Sequence, residues 1–396
     1  MSLAGDSLYL AWCYLRLHPM KTLILVATIA TISFLPVGLN VLVTKSGEEL
    51  MARAEATPLL IGARGSALEL VLSALYFESD PAPPAHHSEV DRILDTGLAE
   101  PIPLHVRFRV RDQPIVGTPL EYLDFRGLRM AAGRRMALLG ECVVGAEAAR
   151  RLALAPGDSV VSAPESAFDL GGVYPLELEV VGVLAPAFSP DDDAVFVDIK
   201  TAWVIEGIGH GHQDLAKLEA EAAVLSREGD RITANASVVE FNRITDANRE
   251  SFHFHGDRSG HPVSAIIAVP HDAKSRALLM GRYASPEESS QIVRPAQSMA
   301  ELLETVFTVR SYLVAAIGVV AVATLATASL VFMLSFRLRQ REIETMVKIG
   351  GARTSIVAIL ASEVVVVLSM GLLLAGLLTL LTERFGTEMI RTLLIS

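Results

Sequence analysis

The chain has 396 residues, 51% of them hydrophobic, and a formal net charge of −11. That acidic balance excludes nucleic acid as a partner, because affinity for a phosphate backbone needs clustered Lys and Arg. The apolar residues gather in three uninterrupted runs of more than 20 residues, which excludes an ordinary soluble α/β protein. Runs of that length define an integral membrane protein with a large water-exposed part.

Residues 1–21 form a cytoplasmic amphipathic segment, with Leu8, Trp12 and Leu15 at helical spacing and Arg16, His18 and Lys21 just before the first apolar run. This pattern predicts a short helix lying on the membrane surface. Residues 22–44, TLILVATIATISFLPVGLNVLVT, are the first transmembrane helix. The run is longer than a signal-peptide core and no clean cleavage site follows, so the span is expected to be retained. Pro36 removes one backbone hydrogen bond and predicts a kink. Arg16 and Lys21 on the near side place the N-terminus in the cytoplasm. Cys13 and Cys142 fall on opposite sides of this span, so no intramolecular disulfide is expected.

Residues 45–297 then lie outside the cytoplasmic membrane, too long for a loop and long enough for one large domain or two small ones. Ser46, followed three residues later by Glu49, has the signature of a helix start, so the first span either continues as a stalk or restarts as a new helix here. Gly65–Phe77 has helical periodicity and PAPPAHHS is a Pro-rich linker. Leu104–Val110 alternates as a half-buried strand does, with RDQP as the turn after it. Glu141–Val161 predicts strand, helix, Pro-Gly-Asp turn and strand, and Leu176–Pro186 and Ala194–Ile199 two more strands. An α+β domain with mixed sheets follows.

Residues 298–336 predict a stalk helix that runs without a breaker into the second span, with Met299, Leu302, Leu303 and Val306 on one side and a Ser298–Glu301 capping box. Residues 337–354 connect it to the third span at 355–382, and residues 383–396 form a C-terminal tail whose Glu383, Arg384, Glu388 and Arg391 leave no room for a further span. The connector carries Arg337, Arg339, Arg341, Lys348 and Arg353 against Glu342 and Glu344, an excess of positive charge that marks the cytoplasmic side. Glu363, inside the third run, is costly in lipid; it marks a functional site or, as the favoured reading, reaches the nearby interface or pairs with a basic residue of the connector. Gly371, Ala375 and Gly376 offer small surfaces at which helices can approach closely.

The order of these parts, with the basic loop REIETMVKIGGAR and the pattern from Gly145 to Asp158 in VVGAEAARRLALAPGDSV, resembles the FtsX/MacB-like permease family, the membrane subunits of type VII ABC systems. The later LEVVGVLAP resembles part of the same family's periplasmic core domain. The resemblance implies an α+β membrane protein with a large extracytoplasmic domain of the MacB periplasmic-core type, multi-pass in the bacterial inner membrane. The family usually has four spans, and three are visible here. It implies a permease subunit that couples ATP hydrolysis by a separate ABC ATPase to movement of the extracytoplasmic domain, a mechanotransmission device acting on a substrate already outside, by export or extraction. The alternative is an FtsX-like signalling or scaffold protein that regulates an envelope partner such as a cell-wall hydrolase. Other implied partners are a second permease, as homodimer or heterodimer, a periplasmic adaptor or substrate-binding protein, and membrane lipids. The ATPase-docking residues it points to are Arg339, Arg341, Glu342, Glu344, Met346, Ile349 and Gly350 of the coupling loop.

No G-x-x-x-x-G-K-[ST] phosphate loop occurs in the sequence; GARGSALE comes nearest and lacks the lysine. ATP is therefore expected on the partner and no cofactor on this chain. Neither a nucleophile elbow nor paired catalytic carboxylates can be argued from spacing, so no enzymatic activity is expected. Nine of the ten histidines fall in the external domain, and GHGH (Gly209–His212) and HFH (His253–His255) each place two imidazoles on one face of a strand. His210, His212, His253 and His255, with Asp214 or Asp257, are the residues that would hold zinc. The spacing matches no established zinc motif, and the expectation is that no metal is held.

Overall fold

The computed structural model describes the chain apart from residues 1–2, 78–82, 164–174, 213–223, 229–230, 235–240, 349, 351 and 395–396. Asp214 and Ile349 lie outside the described residues, as does part of the Pro-rich linker. The helices in chain order are α1 (Leu3–Leu17), α2 (Pro19–Glu55), α3 (Ala67–Tyr76), α4 (Ser88–Thr96), α5 (Glu121–Phe125), α6 (Ala146–Leu152), α7 (Ile199–Ile205), α8 (Ala273–Arg282), α9 (Pro295–Leu338), α10 (Gln340–Lys348) and α11 (Arg353–Leu394). The strands are β1 (Leu59–Ala63), β2 (Ala85–His86), β3 (Ala99–Val110), β4 (Gln113–Gly117), β5 (Met130–Gly133), β6 (Glu141–Val144), β7 (Ser159–Val161) and β8 (Glu177–Leu184). They continue with β9 (Val195–Val197), β10 (Gly209–Gly211), β11 (Val224–Glu228), β12 (Arg231–Ala234), β13 (Phe252–Phe254), β14 (Pro262–Val263), β15 (Ala265–Pro270) and β16 (Ser290–Val293). The chain divides into two compact units, Met1–Met51 with Glu301–Ser396, and Ala52–Ala300.

The first unit is helical. α2, α9 and α11 are each long and apolar enough to cross a membrane. α2 runs unbroken past Pro36 and Ser46 to Glu55, so Ser46 caps nothing and the stalk reading of that segment holds. At Gly47 a Cβ would sit 3.4 Å from Leu303 and Phe307, in ordinary contact, so packing does not require glycine at that position. At α11, Gly371 is where the packing is closest: a Cβ would come 2.6 Å from Ile29 Cγ2, so α2 and α11 touch through the bare backbone. Ala375 is buried on the same face, whereas Gly376 meets nothing within 4 Å and takes no part in the contact.

α1 divides its apolar residues differently from the predicted stripe. Ser7, Ala11 and Leu15, four residues apart, are buried, and Leu15 packs with Leu25, Ile29 and Val367. Leu8 and Trp12 remain about half exposed, at 46% and 52%. A helix that packs on other helices buries an i, i+4, i+8 line, and the bulkier residues beside it are left for the lipid boundary.

The start of α9 also differs from expectation. The helix begins at Pro295, and the N–H groups of Gln297 and Ser298 donate to the carbonyl of Arg294 at 3.0 and 3.3 Å. Proline suits the first helical position because its missing donor is not needed there, so Ser298 is already inside the first turn and forms no cap. At 1.5 Å per residue the helix is about 66 Å long, roughly twice the thickness of a bilayer core.

The second unit is α+β. Its main sheet runs in the order β16, β1, β15, β3, β4, β9, β6, β8, β5, with β7 also on β8. All pairs are antiparallel except β4 with β9 and β6 with β8. β3 joins the two halves: Ala99–Leu104 pairs with β15 and His105–Val110 with β4. One core gathers Leu59, Ile93, Trp203, Ile266 and Leu279, and the other Phe108, Ile115, Val144, Leu178 and Val197. The strand predicted over Ala194–Ile199 is limited to Val195–Val197. Asp198 leaves the extended run to accept a hydrogen bond from the Lys200 N–H at 2.9 Å, and Ile199 opens α7.

Candidate functional site

The connector folds as a short helix set between two long ones. α9 ends at Leu338, α10 occupies Gln340–Lys348, and Gly350 takes a left-handed φ of 92° before α11. α10 is amphipathic. Ile343 and Met346 line a groove with Arg339 and with Ile356, Ile359 and Leu360 of α11, while Arg341, Glu344 and Lys348 face outward. Met346 is 39% exposed and so presents part of its thioether at the surface.

Arg339 is turned inward. Its Nη1 donates to Glu363 Oε2 at 3.1 Å, and its guanidinium lies 3.7 Å from the centroid of the Tyr14 ring. Lys21 Nζ donates to the other oxygen of Glu363 at 3.3 Å. Glu363 is 4% exposed, and two cations answer the cost of burying its charge. The pairing expected of Glu363 is therefore present, and the polar surface offered by the connector comes from Arg341, Glu344 and Lys348 rather than from Arg339.

The second unit holds a buried ionic network that the sequence reading missed. Arg53, in the last turn of α2, donates to Asp191 Oδ2 at 2.6 Å and to Oδ1 at 3.0 Å, a bidentate pair. Its Nη2 also donates to the Tyr122 hydroxyl at 2.9 Å, and its Nε donates to the Leu75 carbonyl. The Tyr122 hydroxyl donates to Asp191 Oδ1 at 2.7 Å. The two charged side chains are 7% and 1% exposed. Burial opposes ionisation of Asp191, but the Arg53 charge and hydrogen bonds outweigh it and hold the carboxyl below its usual range. Burial, then the Asp191 charge, pushes the Tyr122 hydroxyl up to about 12, which keeps it a donor. Ser189 fixes Asp191 at the start of a 3-10 turn, Pro190–Asp193, by a capping box with Asp192. Ser-Pro-Asp-Asp-Asp signals that turn in the sequence; nothing local signals a partner 138 residues away.

The histidine pairs come together. His210 and His253 stand directly opposite in the β10–β13 ribbon, with His212 and His255 beside them. Asp257 does not join them: its carboxylate caps the 3-10 turn Arg258–Gly260 and accepts from Ser259 Oγ at 2.8 Å.

Three helices able to cross a membrane, together with a mixed α+β unit, define a membrane protein with an extracytoplasmic domain. The family model of the MacB-like periplasmic core domain matches residues 76–240, which include both segments that resembled it. That segment is therefore a MacB-like periplasmic core domain, and its presence beside three membrane-length helices supports a permease-type protein of an ABC transporter. Among solved structures it is similar to the extracellular domain of the noncanonic ABC-type transporter YknZ from Gram-positive bacteria, at 13% identity and TM-score 0.32, over 59% of this chain and 98% of that one. It is similar to the periplasmic region of MacB from Actinobacillus actinomycetemcomitans at 12% identity and TM-score 0.36, over 65% and 98%. A domain of a putative permease protein from Porphyromonas gingivalis aligns at 13% identity and TM-score 0.27, over 60% and 86%. No curated protein matches the chain.

Proposed function

We propose that this chain is the permease subunit of an ABC transporter in a bacterial inner membrane, and that it transmits force rather than catalysing a reaction. A separate ATPase subunit docks on the outward face of α10, through Arg341 and Glu344 with Met346 as an apolar contact. ATP hydrolysis is the partner's, in keeping with the lack of a phosphate loop in this sequence. Closure of the ATPase moves α10, and α9 carries the motion outward to act on a substrate already outside the membrane. Two permease subunits working as a dimer provide the symmetric surface that an ATPase dimer needs.

The observation that carries this reading is the junction at Arg339: a short amphipathic helix with a charged outer face joined directly to a single 44-residue helix. A helix without a break resists bending, so displacement at one end reaches the other. The test is co-purification with the cognate ATPase from membranes. Arg341→Ala combined with Glu344→Ala is expected to abolish association while leaving the permease in the membrane at normal abundance. Association at the wild-type level would overturn the docking assignment.

A further inference from the structure

The two faces of the β10–β13 ribbon differ in kind. Gly209 stands opposite Phe254, His210 opposite His253, and Gly211 opposite Phe252. A period of two therefore puts glycine and phenylalanine on one face and imidazoles on the other. The apolar face anchors the ribbon: Phe252 and Phe254 pack against the core that includes Ile205 and Ile244, and Phe254 also meets Trp203 edge-on at 6.4 Å between centroids. The glycines are required for this. A Cβ on Gly209 would come 2.6 Å from the Phe254 ring, and one on Gly211 would come 2.5 Å from the Phe252 ring. With that face fixed, His210, His212, His253 and His255 are gathered on the other.

We infer that these four imidazoles form a binding site for a divalent transition-metal ion, with Zn2+ the ion whose coordination they fit. In a tetrahedral zinc site the metal–nitrogen distance is about 2.05 Å and each ring centroid lies about 1.1 Å further out, so centroids stand about 5 Å apart. The observed separations are 4.8 Å for His210–His253 and for His210–His255, 5.0 Å for His253–His255, 5.2 Å for His212–His253 and 5.8 Å for His210–His212. The rings are inclined to one another by 42° to 81°, not stacked. One ligand atom from each of His210, His212 and His253 already lies within 4.8 Å of the others. Tetrahedral ligands sit about 3.3 Å apart, a difference that rotation about the side-chain torsions of partly exposed residues covers.

The ring of His253 is also oriented for the task. Its Nδ1 is 3.1 Å from the Ser251 carbonyl. A carbonyl only accepts, so Nδ1 carries the proton and Nε2 keeps its lone pair, the arrangement that metal-binding histidines use. No carboxylate joins the group among the described residues. An all-imidazole donor set suits Zn2+, Cu2+ and Ni2+ and disfavours Ca2+ and Mg2+, which take oxygen. Histidines scattered on a surface for solubility alone have no need of glycines on the reverse face to seat two phenylalanine rings.

The test uses the full-length chain in detergent, purified without a polyhistidine tag, stripped with a chelator and titrated with ZnCl2 against a chromophoric competitor. One equivalent per chain is expected, with a Kd below about 1 µM. His210→Asn with His253→Asn is expected to weaken it by at least about 100-fold, while His271→Asn, at an exposed site elsewhere, leaves it unchanged. A second measurement needs no variant: carbethoxylation read by peptide mass spectrometry, with one equivalent of zinc expected to protect His210, His212, His253 and His255 but not His271. Absence of saturable binding up to 100 µM, on the scale where such a site is of no consequence, overturns the inference. Wild-type affinity in the double variant, or equal modification of the four histidines with and without zinc, does so as well.

Discussion

Replacing Asp191 with alanine leaves the Arg53 guanidinium buried without its counter-ion. Arg53 keeps its bonds to the Leu75 carbonyl and the Tyr122 hydroxyl, but loses both bonds to the carboxylate, and Tyr122 loses its acceptor. Removing one partner of a buried pair costs about 3–5 kcal/mol, most of it the penalty on the charge left behind. With a urea m-value of about 3 kcal/mol/M, the unfolding midpoint falls by about 1.3 M. The chain has two tryptophans, so Trp12→Phe leaves Trp203 as sole reporter. Trp203 is 1% exposed and its indole N–H donates to the Pro262 carbonyl at 2.8 Å, so its fluorescence follows unfolding of the extracytoplasmic unit. Arg53→Met with Asp191→Leu removes both charges and is expected to recover much of the loss, since apolar replacement of a buried pair is often close to neutral. A coupling energy between the two sites under about 1 kcal/mol would refute the clamp.

Glu363→Gln leaves Arg339 and Lys21 without their shared anion and is expected to cost about 2–3 kcal/mol; an unchanged apparent Tm in detergent would count against the pairing. Gly371→Leu drives a side chain into Ile29 and is expected to cost about 1–3 kcal/mol, whereas Gly376→Leu, facing open space, is expected to be neutral. Equal thermal stability of those two variants would contradict the contact. Glu141 accepts from the Arg134 guanidinium and from the N–H groups of Ala137 and Leu138. Burial opposes its ionisation, but those bonds prevail and lower the carboxyl from 4.5 to about 2. A depressed carboxyl contributes stability that is complete above its unfolded value and disappears as pH falls through the folded one. The gap between wild type and Glu141→Gln should hold steady down to about pH 5 and close between about 4.5 and 2; a gap that widens on acidification would contradict the assignment.

Much of this architecture is legible in the sequence because it depends on composition or short periods. Three apolar runs give the spans, and alternation in Leu104–Val110 gives the second half of β3. The register of β10 with β13 is not legible, because it depends on 40 intervening residues returning to one edge; yet the GHGH and HFH patterns already encode which side each ring takes. The Arg53–Asp191 pair is invisible for a stronger reason. Asp191 reads locally as one acid in a turn, and Arg53 as a basic residue near a helix end, where such residues are common. The missed start of α9 comes from the opposite effect: Ser298 and Glu301 carry a local cap signature, and Pro295 overrides it by beginning the helix a turn earlier.

The ion pairs bear on how α2 works. This one continuous helix carries Lys21, which meets Glu363, and Arg53, which meets Asp191. Both carboxylates are buried, at 4% and 1% exposure, and both are met by cations on α2. Apolar packing resists a slide or turn of a helix through steric misfit, at about 1–3 kcal/mol. A buried carboxylate adds to that, because any shift that withdraws its cation leaves a charge unpaired at a cost of several kcal/mol. Ionic contacts of this kind fix rotation and register at both ends of α2.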